Sequence, residues 1–260
     1  DFLSLTEHFL EHYGWPMADT RPYRSACFTT IIGAELHPAQ DRMELGAPWH
    51  ILAVGLPLDF APSPLDETGP ELARRALETG AFVVAAHPQW FTMTDRDVMA
   101  LGPIHAIEIF NASCADDNDS ADSAYMLDML LARGQRLTAC ATDDAHFVPN
   151  THDRTAGWVM ARSETNDPEA LLAALKAGDY YASSGPEIYA LVVEPGERLR
   201  LRCSPVDRIF LIGGPAKYQT IGEQGITEGE FDLRSWTSPY ARILVRDDAG
   251  RKAWTNPIWF

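Results

Sequence analysis

Basic residues are scarce in this chain: 21 Lys and Arg stand against 37 Asp and Glu, a formal net charge of −16. Non-specific binding to a nucleic-acid duplex needs a basic face, so this balance argues against that class of partner. A small phosphorylated substrate, or a nucleic-acid end, stays compatible, because clustered cations can reverse the field inside one pocket. Cysteine is sparse too. Cys27, Cys114, Cys140 and Cys203 are far apart and form no Cys-x-x-Cys pair. That excludes a dense disulfide framework and a thiolate metal clip, and it points to a reducing cytoplasm. No apolar run approaches the ~20 residues that cross a bilayer. The first residues lack the texture of a signal peptide. Internal repeats and low-complexity tracts are missing as well.

What is present suffices for a large core. The 260 residues, 46% of them hydrophobic, fit one large domain or one plus a small appendage. Through the first half, apolar runs at 2–6, 29–36, 50–56, 82–86, 106–110 and 137–141 read as strands. Helices are expected between them. Residues 70–79 follow Gly69-Pro70 and stop at Gly80, residues 121–133 stop at Gly134, and residues 168–177 follow Asp167 and stop at Gly178. Strand-then-helix order with runs apolar on both faces predicts parallel strands covered by helices, in a barrel or an open doubly wound sheet. In both, active sites lie at the carboxyl ends of strands. After about Tyr181 the texture changes to short strands at 188–193, 199–203, 208–212, 229–233 and 241–246, with a hairpin loop at 247–250 returning through 251–255. The expectation is a barrel or an open doubly wound sheet over 1–184 and a small antiparallel β module over 185–260, divided near Gly185-Pro186.

The strand ends carry the chemistry. Asp144 and His146 follow the run at 137–141, and residues i and i+2 of extended chain project to one side. Elsewhere the run at 2–6 leads into Glu7-His8, the run at 29–36 carries Glu35 and leads to His37, and His50 opens the next strand. His87-Pro88 ends the run at 82–86, and Glu108 lies in the run that leads to Asn111. Surface charges need no such alignment. Imidazoles and carboxylates converging at strand ends are ligands for divalent ions, with at least one carboxylate bridging neighbours. Such ions lower the pKa of bound water from ~15.7 towards ~7 and so supply hydroxide at neutral pH. Glu35, after Gly33-Ala34, suits the bridge. Glu7, Glu108, Asn111 and Asp143 are candidates to brace the ligands from behind, and so is His37. Glu108 is equally compatible with an ion pair, and His50 with a satisfied core histidine. His12, His105 and His152 read as ordinary polar or turn residues. Arg21 and Arg24 are candidates to grip an anion bidentately, and equally plain surface charges. Trp90, with Trp15, Phe91 and Phe147, lies just past a strand end, where it would wall a pocket or pack a loop.

Leu5-Thr6-Glu7-His8, Gly33-Ala34-Glu35, His50-Ile51-Leu52-Ala53-Val54-Gly55, Ala86-His87-Pro88 and Asp144-Ala145-His146 occur in this order. Over residues 1–184 the chain thereby resembles the PHP (polymerase and histidinol phosphatase) superfamily. The stretch 157–185 and the β tail, with Trp254-Thr255-Asn256-Pro257-Ile258-Trp259, are similar to bacterial PHP proteins of the group that includes carbaryl-hydrolase-like members. The resemblance implies a distorted (β/α)7 barrel holding two or three divalent ions, zinc, manganese or iron, and phosphoester hydrolysis. It makes His8 the histidine that ends the second family motif and Glu35 the bridging carboxylate. His50 and His87 become ligands of one ion, and Asp144 and His146 the final ligand pair, catalytic together with Glu35. Glu7 departs from the aspartate usual before that first histidine. The family's His-x-His strand and the helix after it would lie ahead of Asp1. The abrupt start at Phe2-Leu3-Ser4-Leu5 leads us to expect that they do. The expected function is a metal-dependent phosphoesterase acting on a small phosphorylated molecule through a metal-bound hydroxide. The alternatives are a hydrolase of a non-phosphate ester, amide or carbamate, and a catalytically inactive binding or regulatory barrel.

Overall fold

A computed structural model describes residues 1–260. Its five α-helices are α1 (Gly69–Glu78), α2 (Asp95–Ala100), α3 (Ala112–Asn118), α4 (Ala124–Ala132) and α5 (Pro168–Ala177). Packing divides the chain into two units, Asp1–Glu108 with Ala161–Asp179, and Ile109–Met160 with Tyr180–Phe260. No helix is long and apolar enough to cross a membrane.

The first unit is built on strands β1 (Phe2–Leu3), β2 (His8–Phe9), β3 (Thr29–Thr30), β4 (Gly33–Leu36), β5 (Ile51–Val54), β6 (Phe82–Ala85) and the start of β7 (Ala106–Asn111). β1 and β3 form a small parallel pair, and the main order is β2-β4-β5-β6-β7. The expected run of parallel strands is not what forms: β5 lies antiparallel to both β4 and β6, whereas β2–β4 and β6–β7 are parallel. The connections explain the reversal. No helix separates Leu36 from Ile51, so the chain turns back beside the strand it left instead of crossing over. The looping stretch 55–68 and α1 then return it to the end at which β5 finished. The run expected at 29–36 is broken into β3 and β4. Thr68 caps α1 in a reciprocal box with Glu71, and Leu72, Ala73 and Ala76 form its buried stripe. Ala34, Leu36, Ile51, Ala53, Val83, Val84 and Ala85 are fully buried, so this small sheet is covered on both faces.

In the second unit the end of β7 is followed by β8 (Thr138–Thr142), β9 (Trp158–Ala161), β10 (Tyr180–Ser183), β11 (Ile188–Glu194), β12 (Arg198–Gly213), β13 (Lys217–Asp232), β14 (Tyr240–Arg246), β15 (Lys252–Thr255) and β16 (Ile258–Trp259). The large sheet runs β11-β12-β14-β15-β10-β9, with β13 on β12 and β16 on β14. It takes in β10, ahead of Gly185-Pro186, through pairing with β15. The two strands expected at 199–203 and 208–212 are one, β12, whose register shifts on either side of Val206, next to Pro205. Its partner β13 is mostly exposed and glycine-rich. Opposite charges face across the ladder, Arg198 to Asp232, Arg200 to Glu230 and Arg202 to Glu228. Leu199, Leu201, Ile209, Leu211, Phe231, Ile243 and Val245 supply the apolar face.

One ion pair ties α4 to this sheet. Arg242 of β14, 2% exposed, donates Nε and Nη2 to the two oxygens of Asp128, each at 2.7 Å. Asp128→Ala would leave a buried guanidinium unpaired. We expect it to lower unfolding free energy by about 3–5 kcal/mol in urea melts, with Asp128→Leu/Arg242→Met recovering most of the loss; a deficit below ~1 kcal/mol would show the pair to be idle. Only Cys27 among the four free cysteines is exposed. A thiol reagent should therefore modify one cysteine in the native chain and all four in denaturant, counted by mass; rapid labelling of a second site contradicts the packing.

Candidate metal centre

Strand register assembles the first unit's site. His8 and Glu35 are direct partners across β2 and β4. Leu36 pairs with Ile51, and Ile51 with Ala85. Because β5 is reversed, its first end lies at the last ends of β4 and β6. His50, just before β5, therefore stands between His37, just past β4, and His87, just past β6. His8 reaches the group from β2 and not, as expected, from the end of a strand spanning 2–6; that run is strand only at Phe2–Leu3.

Glu35 is the centre of the group and only 4% exposed. His8 Nδ1 lies 3.0 Å from Oε2, His50 Nδ1 2.5 Å from Oε1, and His87 Nε2 3.5 Å from Oε1. Two contacts join ring nitrogens directly, His8 Nδ1 to His37 Nε2 at 2.9 Å and His50 Nδ1 to His87 Nε2 at 3.1 Å. The tautomers of two rings follow from their outer partners. His37 Nδ1 is 3.0 Å from the Trp49 carbonyl, which can only accept, so Nε2 keeps its lone pair. His87 Nδ1 is 3.2 Å from Glu108 Oε2, which also accepts the His87 backbone N–H at 2.6 Å. Its Nε2 likewise faces inward unprotonated. A carboxylate or carbonyl behind an imidazole is the usual way to aim a metal-binding ring.

The supports are themselves held. Trp49 donates Nε1 to Asp41 at 2.8 Å, and Asp41 also receives the Gly69 N–H at 2.8 Å. Gly69 leaves no room for a Cβ beside the Trp49 ring. His87 has φ +28, an unfavoured backbone for a residue with a side chain, ahead of Pro88. The Phe91 ring covers His50 at 4.4 Å and His87 at 5.5 Å, and Tyr13 stacks on His8 at 6.3 Å.

Burial alone would push the Glu35 carboxyl up, but hydrogen bonds from His50 and His8 and the charge of nearby rings hold it well below the usual carboxylate range. Burial takes His37 down to about 4 and lowers His50, against the pull of Glu35 in each case. Both shifts favour the neutral ring that a metal ligand must be.

The donor set fits a divalent transition ion. One donor atom from each of His8, Glu35, His37 and His50 lies within 4.8 Å of every other. Four ligands on an ordinary zinc ion are roughly 3.3 Å apart, as follows from bonds of ~2.0–2.1 Å. Within this set His8 Nδ1 and His37 Nε2 are 2.9 Å apart and His8 Nδ1 is 3.0 Å from Glu35 Oε2, close to that spacing.

Other expected site residues have partners of their own. Glu7 offers its backbone carbonyl to the Glu35 N–H at 3.0 Å, while its side chain is exposed. Arg21 forks onto Asp19 with two 2.8 Å bonds, and Arg24 donates Nε and Nη2 to the Thr30 carbonyl. Both guanidinium groups are therefore engaged locally. Trp90 is half-buried with its ring 6.5 Å from Phe91, and it is Phe91 that touches the histidines. His105 Nδ1 accepts the Val83 N–H, and His12 packs on Tyr13.

Asn111, Asp143, Asp144 and His146 belong to the second unit. β8 stops at Thr142, and Asp144 has φ +51, so the strand alternation expected to aim Asp144 and His146 together does not extend to them. The exposed His146 ring donates Nδ1 to the Asp144 backbone carbonyl at 2.8 Å. Asn111 caps α3 through the Cys114 N–H and donates Nδ2 to Asp144 Oδ2 at 3.0 Å. Asp143 braces the following loop, accepting the N–H groups of Thr155, Ala156 and Gly157 at 2.7–2.9 Å. His152 is held by Asp116 at 3.1 Å.

No protein-family model matches the chain, and no curated protein matches its sequence. The likeness to the PHP superfamily rests on the motif residues themselves.

Asp143→Ala removes the acceptor of three amides. It should cost about 1–3 kcal/mol and speed hydrogen exchange at residues 155–157 before other loops respond; unchanged exchange there would refute the bracing role.

Proposed function

We propose that this chain is a metal-dependent hydrolase, a phosphoesterase acting on a small phosphorylated molecule, on a barrel of the distorted (β/α)7 kind. The observation that carries the reading is a single buried carboxylate, Glu35, approached by His8, His50 and His87 within 3.5 Å. A buried acid so surrounded is suited to divalent ions, zinc, manganese or iron. Bound there, such ions supply Lewis-acid polarisation of a phosphoryl or carbonyl oxygen and acidify water.

The chain's own residues do the rest. Glu35, His8 and His50 hold the charge, and Glu108 and the Trp49 carbonyl fix which nitrogen His87 and His37 present. Phe91 keeps water from the faces of His50 and His87. The His8 side chain is 30% exposed, so substrate reaches Glu35 from that side, past Tyr13. The four free cysteines suit a reducing, cytoplasmic setting.

A second reading, hydrolysis of an ester, amide or carbamate by the same centre, is favoured by one observation. Arg21 and Arg24, the arginines best placed in sequence to grip a phosphate, are both committed to local partners.

Chain stripped with chelator and reloaded with zinc, manganese or iron should hydrolyse p-nitrophenyl phosphate. Glu35→Gln should lower kcat/KM by at least ~100-fold, the upper range for loss of an outer partner of a metal. Phosphatase silence beside aryl-ester turnover selects the second reading. Silence on both, with no metal retained, removes the hydrolase altogether.

A further inference from the structure

The sequence marks His37 as a residue behind Glu35, yet its ring is turned into the group. The Trp49 carbonyl takes the Nδ1 proton, and Nε2 is left facing His8 Nδ1 at 2.9 Å. The ring is buried and stands edge-on to His50, centroids 4.3 Å apart and planes at 89°. With Nδ1 donating to Trp49, Nε2 meets His8 Nδ1 with a lone pair, and a cation placed beside the two nitrogens and Glu35 would take the lone pairs of both rings.

We infer that His37 is itself a metal ligand, completing with His8, Glu35 and His50 a four-donor site of three nitrogens and one oxygen that lies wholly within the first unit. This rests on the metal-dependent reading above. The four donor atoms all fall within 4.8 Å of one another. The set has a chemical consequence. Magnesium and calcium take oxygen ligands and, for magnesium, near-ideal octahedra, which three imidazoles do not offer. Nitrogen-rich, four-donor sites suit zinc and its neighbours, and for a given site zinc binds more tightly than manganese. The site therefore selects zinc-class ions over magnesium. His87, aimed by Glu108, lies 3.5 Å from Oε1, the Glu35 oxygen that His50 also approaches, and stands outside the four-donor set.

The test uses the full chain and the metals alone. Affinities for zinc, manganese and magnesium are measured by competition with a chromogenic chelator, for the wild type and for His37→Ala, His37→Gln and Glu35→Ala, with circular dichroism confirming that each variant is folded. In parallel, long-range proton–nitrogen NMR follows the histidine rings of the wild type as zinc is added. We expect zinc to bind more tightly than manganese, magnesium to compete with neither, and both His37 variants to lose more than the ~10–100-fold that removal of an outer partner costs. The His37 Nε2 resonance should move on zinc binding while Nδ1 keeps its proton. If Glu35→Ala abolishes zinc binding but the His37 variants stay within ~10-fold of wild type, or the Nε2 signal stays in place, the inference is wrong and the metal-dependent reading survives. If the wild type binds no transition ion, both fall.

Discussion

An ionised carboxylate in a nearly dry place has to be answered by cations or by donors, and Glu35 is such a carboxylate. It sits in a short strand covered on both faces, and three imidazoles approach its oxygens within 3.5 Å. The local architecture can be read as the set of arrangements that lets those rings arrive. β2 delivers His8 in direct register, β4 runs on into His37, and β6 ends at His87. The outer layer of Trp49, Asp41, Gly69 and Glu108 then limits which way each ring can turn. Remove the carboxylate and the inward-facing nitrogens have nothing in common.

The direction of one strand decides whether His50 belongs. Were β5 parallel to its neighbours, as the crossover pattern in the sequence suggests, His50 would open the strand at the far end of the sheet from Glu35. Antiparallel pairing brings it to within 2.5 Å of the carboxylate. The reversal is produced by what the link between β4 and β5 lacks, a helix long enough to carry the chain across. Which groups meet at Glu35 is a property of connection length as much as of the residues themselves.

Much of this was legible in the amino-acid order, and the gaps have physical causes. α1 announces itself through Gly69-Pro70 and Gly80, local chemistry that needs no tertiary context. Glu35, His50 and His87 stand out because they flank apolar runs. The place of His37 was not legible, since it depends on a carbonyl twelve residues away accepting its proton. Nor was the engagement of Arg21 and Arg24, which is fixed by Asp19 and by the Thr30 backbone. β13 reads poorly because Gly222, Gly225 and Gly229 interrupt it; its form comes from the charges and hydrogen bonds of β12 opposite. Asp144 and His146 look like strand-end partners in sequence, but left-handed backbone at Asp144 breaks the alternation on which that reading depends.

The backbone at His87, with φ +28, has an implication for how the protein tolerates change. Non-glycine residues in thinly populated torsional regions are disfavoured by about 1–3 kcal/mol, so a glycine would be the more comfortable occupant. The molecule thus keeps an aromatic ring where its own main chain would prefer none. At this one position backbone comfort and the cluster around Glu35 pull against each other: a glycine would relax the main chain and take a ring away from the carboxylate.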